Sequence, residues 1–374
     1  MLWSYELPPD RIAQYPLPIR HEARLLVYQK GEITETIFLH LAEVLPESTR
    51  LFYNDTQVIP ARFRKGSREF LLTEIVEGSW MSGSPQVWKG LYRPARFWRR
   101  KGRLEWEGKE ARLTLEWLHQ ADERQGLVQA MWSPSERAAL EVIEAFGSLP
   151  LPPYLRREVE AQDRERYQTI YAQHPGSVAA PTAGLHFTQE VWERLKAKGI
   201  RTYPVTLHVG VGTFLPLQTP DQPEKHPMHA EKFSISEASL EALRSGEGPV
   251  VCVGTTTLRL IESLYWLGLS CAAGIMMTEL PPLCWQQMLP TLPPHEALSA
   301  LPPSLQGSTA LYILPGYPFQ LTDGLITNFH LPGSTLLALV QAFIGRADIE
   351  RVYTYALENG FRFLSYGDTS LLWR

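Results

Sequence analysis

Short apolar runs separated by turn-forming residues predict strands in the first part of the chain. Leu25–Tyr28 and Arg50–Tyr53 have the length and composition of strands, and Val250–Val253 is apolar throughout, as a buried strand is. The second run ends in Asn54, Asp55 and Thr56, whose side chains hydrogen-bond nearby backbone and therefore favour a turn.

Helices are predicted where apolar residues recur at helical spacing between a capping residue and a glycine. Thr188 can accept a hydrogen bond from a free N–H group at the start of one such segment, and Gly199 follows its end. The segment 236–246 repeats this pattern. A further amphipathic helix is predicted to begin after Gly254 and to continue through Leu264.

Residues 61–150 differ from the flanking chain. Four short apolar runs alternate there with polar or glycine-containing links, which predicts a β-rich unit of barrel type. A helix from about Ser135 to Phe146, capped by Ser133 or Ser135, is expected to close the unit. The four runs are Phe70–Val76, Gln86–Tyr92, Leu113–Leu118 and Leu127–Trp132.

A proline-rich segment follows in the last third of the chain. From Pro281 to Pro318 there are nine prolines and one charged residue, Glu296. This composition is that of neither a solvated linker nor a regular element, and it predicts an irregular loop lying on apolar surface. The stretch Leu331–Ile344 is apolar but too short to span a membrane, so it predicts a buried helix.

Composition narrows the class of protein without indicating a reaction. The chain of 374 residues is long enough for two domains, and its net charge of −4 excludes the overall basic field of many nucleic-acid binders. Cys252, Cys271 and Cys284 match neither a metal-binding nor a disulfide pattern, which predicts a reducing, cytoplasmic setting. The N-terminal region lacks the apolar core of a signal peptide, and no contact with a membrane is expected.

A local basic patch, Lys89–Arg112, contrasts with this balanced charge. It holds nine lysines and arginines against three acidic residues, interleaved with aromatic residues, and these residue types contact phosphates and stack on bases. The alternative is a solvated barrel rim, which is common for charged runs. The densest part of the patch is Arg93, Arg96, Arg99, Arg100 and Lys101.

Two motifs combine a histidine with small residues, which let a ligand approach the backbone closely. The segment 182–187 precedes a predicted helix, whose free N–H groups attract anions, although a tight loop has the same composition. The segment 205–214 alternates like a strand, so its histidine and glycines share a face that is either open to a ligand or closely packed. The residues concerned are Thr182, Gly184 and His186, and His208, Gly210 and Gly212.

Three further motifs are rich in polar side chains. His226–Glu231 includes a proline and lacks a nearby cysteine, which disfavours zinc, but His229 and Glu231 would form an acid–base pair on a strand or a salt bridge in a loop. The turn 254–259 offers hydroxyl and N–H groups to a carboxylate, ribose or phosphate, or simply caps its helix. The segment 322–334 carries Asp, Asn, His and Ser side chains, which at the ends of apolar elements either bind a ligand or cap a helix.

Taken in series, these motifs resemble the S-adenosylmethionine:tRNA ribosyltransferase-isomerases of queuosine synthesis. The segment 176–188, from Gly176 to Thr188, is highly specific to that family. The resemblance extends from end to end, is weakest in about 63–150 and is absent in about 272–308. Other matching segments, in the family's order, are Ile12–Pro16, Asn54–Thr56, Ile59–Arg62, Leu151–Tyr154, Asp163–Gln168, Val205–Phe214, Met228–Glu231, Gly254–Arg259 and Asp323–Pro332.

The resemblance implies a fold: a mixed α/β main domain, residues 1–60 and 151–374, with an inserted small β-barrel domain, residues 61–150, that contacts tRNA. Residues 272–308 would be an atypical proline-rich insertion in the main domain. It also implies a reaction, in which the ribosyl moiety of S-adenosylmethionine is transferred and isomerised onto 7-aminomethyl-7-deazaguanine at the tRNA wobble position. The products are epoxyqueuosine-tRNA, adenine and methionine. A monomer acting on tRNA with a GUN anticodon, without a metal or further cofactor, is expected.

That chemistry requires a base near the C5′ hydrogens acidified by the sulfonium, an acid for the departing adenine and donors for an oxyanion. The division of acid, base and binding roles stays open. The proton-transfer candidates are His186, His208, His229 and Glu231. The substrate-binding candidates are Asp55, Arg62, Thr182, Gly184, Gly210, Gly212, Thr255, Thr256, Arg259, Asp323, Asn328 and His330.

Other functions fit parts of the pattern. An RNA-binding paralogue without activity would not need several histidines at glycine-lined positions, and an enzyme acting on a different acceptor would share most of the motifs. A tRNA methyltransferase is disfavoured because the turn at Gly254 lacks a GxGxG-type loop. Release of adenine that depends on tRNA carrying the deazaguanine separates these functions.

Overall fold

The structure is a computed structural model that describes residues 2–210, 212, 217, 222–288 and 291–374. Its fold is mixed α/β, as expected, with one ten-stranded sheet, one six-stranded sheet and a two-stranded ladder of β4 and β11. The strands are β1 Arg24–Gln29, β2 Glu32–Ile37, β3 Arg50–Asn54, β4 Thr56–Val58, β5 Arg62–Lys65, β6 Arg68–Glu77, β7 Gln86–Arg93, β8 Arg103–Glu107, β9 Arg112–Gln120, β10 Gln125–Ser133, β11 His174–Ser177, β12 Arg201–Leu207, β13 Glu231–Ile235, β14 Val250–Val253, β15 Glu279–Leu280, β16 Leu305–Thr309, β17 Gly324–Asn328 and β18 Thr369–Trp373.

Helices pack around these strands. Within the described residues, no helix combines the length and the apolar character that a membrane-spanning segment needs. The α-helices are α1 Leu41–Val44, α2 Ala95–Trp98, α3 Ala139–Phe146, α4 Asp163–Arg166, α5 Gln189–Ala197, α6 Glu237–Arg244, α7 Thr255–Ala272, α8 Cys284–Gln287, α9 Pro294–Ser299, α10 Thr335–Ile344 and α11 Arg346–Glu358. Short 3-10 helices occupy Pro9–Arg11, Arg20–Glu22, Phe38–His40, Thr182–His186 and Pro223–Lys225.

The ten-stranded sheet has the order β15-β16-β13-β12-β3-β14-β17-β18-β1-β2. At its centre, β12, β3, β14 and β17 are mutually parallel. Their apolar side chains are buried between helices on both faces, which explains why β14 is apolar throughout. Because the four strands run in one direction, their carboxyl ends meet at one edge of the sheet, where ligands bind in many α/β proteins.

The six-stranded sheet is antiparallel, with the order β5-β6-β7-β10-β9-β8, and its strands come from residues 62–133. All four predicted apolar runs are strands of this sheet. Its own core is dominated by aromatic side chains, with Trp88 and Trp98 fully buried. The closing helix is shorter than expected: α3 begins at Ala139 after Ala138, and neither Ser133 nor Ser135 caps it.

The local helix signals are largely confirmed. The Thr188 hydroxyl caps α5 by accepting from the Val191 N–H, and Ser236 caps α6 in the same way. Gly199 follows α5 with a φ of +78°, a conformation that glycine adopts without strain. The helix after Gly254 extends to Ala272 instead of ending at Leu264, because its continuation stays buried in the main core.

The proline-rich segment is more regular than its composition indicates. Instead of a loop lying on the surface, β15 and β16 extend the ten-stranded sheet beyond β13. Helix α9 packs on α7 where Gly268 has no side chain; a Cβ there would lie 2.2 Å from the Ala297 carbonyl oxygen. The expectation of an irregular loop was therefore wrong. Pro294 lies at the first position of α9, where its missing N–H costs no helical hydrogen bond.

Candidate active site

Two adjoining cavities open at the carboxyl edge of the parallel strands. The larger cavity, about 970 Å³, lies between β6 and β7 of the six-stranded sheet and the region where β12 ends and α7 begins. The smaller cavity, about 360 Å³, lies beside the end of β17 and the segment that follows it. Val209, Thr255, Thr256 and Leu336 line both cavities, so the cavities meet at the first turn of α7.

His208 lines the larger cavity just beyond the end of β12. The imidazole Nδ1 lies 2.9 Å from the Thr56 hydroxyl oxygen. Gly176, with a φ of +148°, packs against the ring so closely that a Cβ would lie 2.9 Å from it. Burial, together with the nearby charges of His174 and Lys232, lowers the pKa of His208 to about 4. The imidazole is therefore neutral at neutral pH and can accept a proton.

Residues at the end of β3 hold the backbone next to His208. Asn54 is fully buried, and its side chain donates to the Leu207 carbonyl at 2.8 Å and accepts from the Leu207 N–H at 3.0 Å. The Asp55 carboxylate accepts from the Thr206 hydroxyl at 2.7 Å, and burial raises the pKa of this carboxyl. Asp55 does not line either cavity; it contacts β12 through Thr206.

An ion pair forms part of the lining of the larger cavity. Glu231, at the start of β13, contacts Arg259 of α7, and its Oε1 accepts from the Gly210 N–H at 2.8 Å. Both side chains are largely buried, and burial lowers the pKa of Arg259 to about 10. Because Arg259 still carries its charge at neutral pH, it stabilises Glu231 as a carboxylate. The acid–base pairing of Glu231 with His229 stays a prediction.

Two histidines also line the larger cavity. His229 is exposed and packs next to Gly212, where a Cβ would lie 3.1 Å from the ring. His226, which begins the motif that was weighed for zinc and disfavoured, is buried with its ring centroid 6.1 Å from that of Tyr312. The predicted continuous strand through His208, Gly210 and Gly212 is wrong, because β12 ends at Leu207. Residues 211 and 213–214 of that motif lie outside the described residues.

The first turn of α7 presents polar groups to both cavities. Gly254 has a φ of +90° and precedes the helix without a side-chain cap, so the predicted capping by Thr255 or Thr256 does not occur. Both threonines line the two cavities. Free N–H groups and the helix dipole at this end of an 18-residue helix favour an anionic group.

The smaller cavity contains a second set of candidates. Thr182, Asn328 and His330 line it, together with Tyr154, whose hydroxyl lies 2.6 Å from the Ser365 hydroxyl. The His330 Nε2 lies 2.8 Å from the Thr327 hydroxyl, and burial lowers the pKa of this histidine to about 3. Tyr154 was not predicted as a site residue, although it lies in the family-like segment 151–154.

Other predicted residues lie away from both cavities. His186 packs against Phe38 below the 3-10 helix 182–186, and burial lowers its pKa to about 4 while the Asn328 side chain opposes this shift. Gly184 allows the Tyr171 hydroxyl to approach, and Arg62 pairs with Glu69 at 3.4 Å. Asp323 accepts from the Val250 N–H at the opposite end of β17 from Asn328.

The basic patch occupies the end of β7 and the α2 region. Arg93 pairs with Glu69 at 2.6 Å, but its side chain stays 67% exposed and accessible to a polyanion. Trp98 from the same patch is fully buried and donates to the Glu69 carbonyl, so it cannot stack on a base. The other densely spaced basic residues, Arg96, Arg99, Arg100 and Lys101, are exposed.

No cluster of three or more His, Cys, Asp or Glu side chains suited to a metal occurs among the described residues. Sequence reasoning missed two hydroxyl groups, those of Thr56 and Ser177, as site residues. Thr56 and Ser177 lie inside the segments that carry the family resemblance. Their position in those segments is the signal that could have identified them.

Comparison with known proteins assigns the chain to a family. A sequence profile of the family described as "Queuosine biosynthesis protein" matches residues 1–372. The S-adenosylmethionine:tRNA ribosyltransferase-isomerase of Acidithiobacillus ferrooxidans is 39% identical over 99% of this chain and 96% of its own length. The protein of the same name from Anaeromyxobacter sp. is 39% identical over 100% of this chain and 98% of its own length.

A solved structure is similar over the same extent. The crystal structure of S-adenosylmethionine tRNA ribosyltransferase from Thermotoga maritima matches with a TM-score of 0.50 and 29% sequence identity, and the match covers 99% of each chain. The family profile and the full-length relatives agree with the motif series found in the sequence. The chain therefore belongs to the queuosine biosynthesis protein family.

Proposed function

We propose that this protein transfers and isomerises the ribosyl moiety of S-adenosylmethionine onto 7-aminomethyl-7-deazaguanine at the wobble position of tRNA. The products are epoxyqueuosine-tRNA, adenine and methionine. The full-length relatives named for this activity support the proposal. The observation that carries it is the larger cavity, in which a neutral histidine, a buried ion pair and a helix N-terminus converge from distant parts of the chain.

S-adenosylmethionine is proposed to lie across the junction of the two cavities. Its methionine carboxylate binds the first turn of α7, where Thr255 and Thr256 add hydroxyl donors to the free N–H groups. Arg259 stabilises negative charge that develops as the sugar ring opens. Thr182, Asn328 and His330 contact the part of the substrate that enters the smaller cavity.

Proton transfer is proposed for His208 and His229. His208 removes a proton from C5′ of S-adenosylmethionine, because its ring is neutral and faces the larger cavity. His229, exposed at the opening of that cavity, serves the departing adenine. Glu231 holds Arg259 and Gly210, His186 supports the segment next to Thr182, and Asp55 supports β12; these three act as positioning residues.

The tRNA is proposed to bind across the six-stranded sheet. We assign residues 61–150 to an inserted barrel domain, residues 1–60 and 151–374 to the main domain, and residues 272–308 to an insertion in the latter. The exposed basic side chains Arg93, Arg96, Arg99, Arg100 and Lys101 bind the phosphate backbone. The protein acts in the cytoplasm as a monomer on tRNA with a GUN anticodon, without a metal or further cofactor.

The reaction products test this proposal directly. The protein is incubated with S-adenosylmethionine and tRNA carrying 7-aminomethyl-7-deazaguanine, and the digested tRNA is analysed by mass spectrometry for epoxyqueuosine. Adenine is measured in the same mixture, with unmodified tRNA as the matched control. Adenine release only in the presence of the modified tRNA is expected. Adenosylhomocysteine without adenine would overturn the proposal and indicate methyl transfer.

A further inference from the structure

A chain of buried hydroxyl groups leads away from His208. The Thr56 Oγ1 lies 2.9 Å from His208 Nδ1, 2.8 Å from Ser177 Oγ and 3.4 Å from the His174 carbonyl oxygen. The Ser177 Oγ in turn accepts from the Val209 N–H at 2.8 Å. Thr56 and Ser177 are both fully buried, so bulk water does not compete for their hydrogen bonds.

The hydrogens in this chain can be assigned by counting donors and acceptors. A threonine hydroxyl has one hydrogen to donate and two lone pairs to accept with. The His174 carbonyl can only accept, so an arrangement in which all three contacts of Thr56 are hydrogen bonds requires the Thr56 hydrogen to point to this carbonyl. The Ser177 hydroxyl and His208 Nδ1 must then both donate to Thr56, and Ser177 keeps a lone pair for the Val209 N–H.

The opposite arrangement satisfies fewer groups. If Thr56 donated to His208 Nδ1, its single hydrogen would not be available to the His174 carbonyl, so only two of the three contacts of Thr56 could be hydrogen bonds. The proton would also move to Nε2, which is the ring nitrogen left for a substrate because Nδ1 contacts Thr56 and His208 lines the larger cavity. The ring nitrogen open to a substrate would then be a donor and unable to remove a proton.

We propose that Thr56, supported by Ser177, holds His208 in the Nδ1–H tautomer and leaves the lone pair of Nε2 directed at the larger cavity. Thr56 is therefore a positioning residue for His208. This inference rests on the proposed function, in which the C5′–H bond breaks and the proton moves to Nε2. The electron pair stays on C5′, where the sulfonium stabilises it, and the imidazolium that forms keeps its Nδ1–H bond to Thr56.

Groups on two sides hold the His208 imidazole in one position. Gly176 leaves space for the imidazole that any side chain would fill, and the His208 backbone N–H donates to the Lys232 carbonyl at 2.9 Å. Because His208 is neutral at neutral pH, the choice of tautomer decides which nitrogen meets the substrate under working conditions. The contact with Thr56 is the hydrogen bond that makes this choice.

The tautomer can be measured without turnover. The chain has ten histidines, and two-bond ¹H–¹⁵N correlation spectra of protein labelled with ¹⁵N-histidine show the protonation of each ring nitrogen. Comparison with the His208→Gln spectrum identifies the His208 signals. We expect a protonated Nδ1 and an unprotonated Nε2 at pH 7. A protonated Nε2 would overturn the inference.

Kinetic variants provide the second measurement. Thr56→Val removes the hydroxyl and keeps the shape, so kcat for adenine release should fall on the order of 10²-fold while KM for S-adenosylmethionine changes little. Thr56→Ser restores the hydroxyl and should restore kcat to within about threefold. Thr34→Val, at an exposed position of β2, is the matched control. Equal kcat for Thr56→Val and the wild type would overturn the inference.

The two proposals can fail separately. If the wild-type protein releases no adenine, the proposed function fails while the tautomer measurement still stands. If the wild type is active and His208 carries its proton on Nε2, only the present inference fails. Should Thr56→Val not fold, the wild-type spectrum and the Thr56→Ser kinetics decide the question.

Discussion

Individual side chains at the larger cavity are held mainly by backbone groups and buried hydroxyls. Glu231 accepts from the Gly210 N–H, Asn54 clamps Leu207, and Ser177 accepts from the Val209 N–H. Such contacts orient polar groups before a substrate arrives, which lowers the reorganisation that the reaction requires. Changes of single side chains should therefore separate effects on chemistry from effects on stability.

His208 should affect the chemical step more than substrate binding. We expect His208→Gln to lower kcat for adenine release by about 10²- to 10⁴-fold, since a general base is lost. The Kd for S-adenosylmethionine, measured by calorimetry, should change by less than about threefold. His295→Gln, at an exposed position in α9, is the matched control. Full activity of His208→Gln would refute its assignment as the base.

Removing one partner of the buried Glu231–Arg259 ion pair should destabilise the fold by more than the pair itself contributes, because the other charge is left buried and unpaired. Glu231→Gln leaves the Arg259 charge buried without its carboxylate, and we expect unfolding free energy in urea to fall by about 3 kcal/mol. The double variant Glu231→Gln/Arg259→Met should recover part of that loss. Glu237→Gln, exposed at the start of α6, controls for the removal of a carboxylate. A decrease below about 1 kcal/mol would contradict a buried pair.

Three buried histidines should make the fold sensitive to mild acid. Burial lowers the pKa values of His186 and His208 to about 4 and that of His330 to about 3, whereas an unfolded histidine titrates near 6.5. Below about pH 6.5 the unfolded state therefore binds more protons, and stability falls as the pH falls toward 4. We expect Tm to decrease between pH 7 and pH 5.

Substitution tests the origin of that pH dependence. His186→Phe removes one histidine that stays neutral in the fold, so its Tm should fall less steeply with decreasing pH than that of the wild type. His119→Phe, at an exposed position, should leave the slope unchanged. Parallel curves for His186→Phe and the wild type would show that His186 titrates normally.

At the scale of elements, the packing of the proline-rich segment departs furthest from expectation. Helix α9 lies against α7, and the contact depends on the missing side chain of Gly268. We expect Gly268→Ala to lower the unfolding free energy by about 1–3 kcal/mol, although alanine is the better helix former, because the Cβ meets the Ala297 carbonyl. Lys196→Ala, exposed in α5, is the control. A higher unfolding free energy for Gly268→Ala than for the wild type would show that α9 does not pack against α7 at Gly268.

Elements with local signals could be predicted, and those set by tertiary contacts could not. Caps such as Thr188 and Ser236 act within a few residues, so the sequence alone indicates them. The continuation of α7 beyond Leu264 depends on burial against other elements. The strands β15 and β16 depend on the free edge of β13, which no local pattern reveals.

The candidate site was also predicted only in part, because tertiary contacts decide which of the motifs meet. His208, Thr255 and Arg259 follow the carboxyl ends of the parallel strands β12 and β14, and Glu231 lies at the start of the antiparallel β13, so all four meet at one edge of the sheet. Asp323 was grouped with Asn328 by proximity in sequence, but β17 places the two at opposite ends. His186 was grouped by its glycine-rich surroundings, which turn out to serve packing against Tyr171.

For the whole molecule, the cleft between the two sheets is the feature that matters most. Lys232 of β13 pairs with Glu74 of β6 at 2.7 Å, so the sheets are in contact beside the larger cavity. The densest part of the basic patch, Arg93–Lys101, lies further along β7 and in the α2 region than Lys89 and Leu91, which line this cavity. A polyanion on the patch therefore approaches the cavity along the six-stranded sheet.

Removing charge from that patch should weaken tRNA binding selectively. We expect the triple variant Arg96→Ala/Arg99→Ala/Arg100→Ala to raise the Kd for tRNA and to reduce the slope of log Kd against log salt by about 1 for each phosphate that an arginine no longer neutralises. KM for S-adenosylmethionine should stay unchanged. Arg346→Ala, exposed in α11, is the control. An unchanged slope would contradict this assignment and indicate that tRNA binds to another surface.

The two sides of the larger cavity differ in how the chain builds them. The side formed by β6 and β7 comes from one continuous stretch, whereas the opposite side draws on β12, β13 and α7, which are far apart in sequence. Exchange of this continuous stretch between relatives would thus replace one side of the larger cavity in a single recombination event. We expect such an exchange to change which acceptor the cavity admits without altering the side that is proposed to bind S-adenosylmethionine.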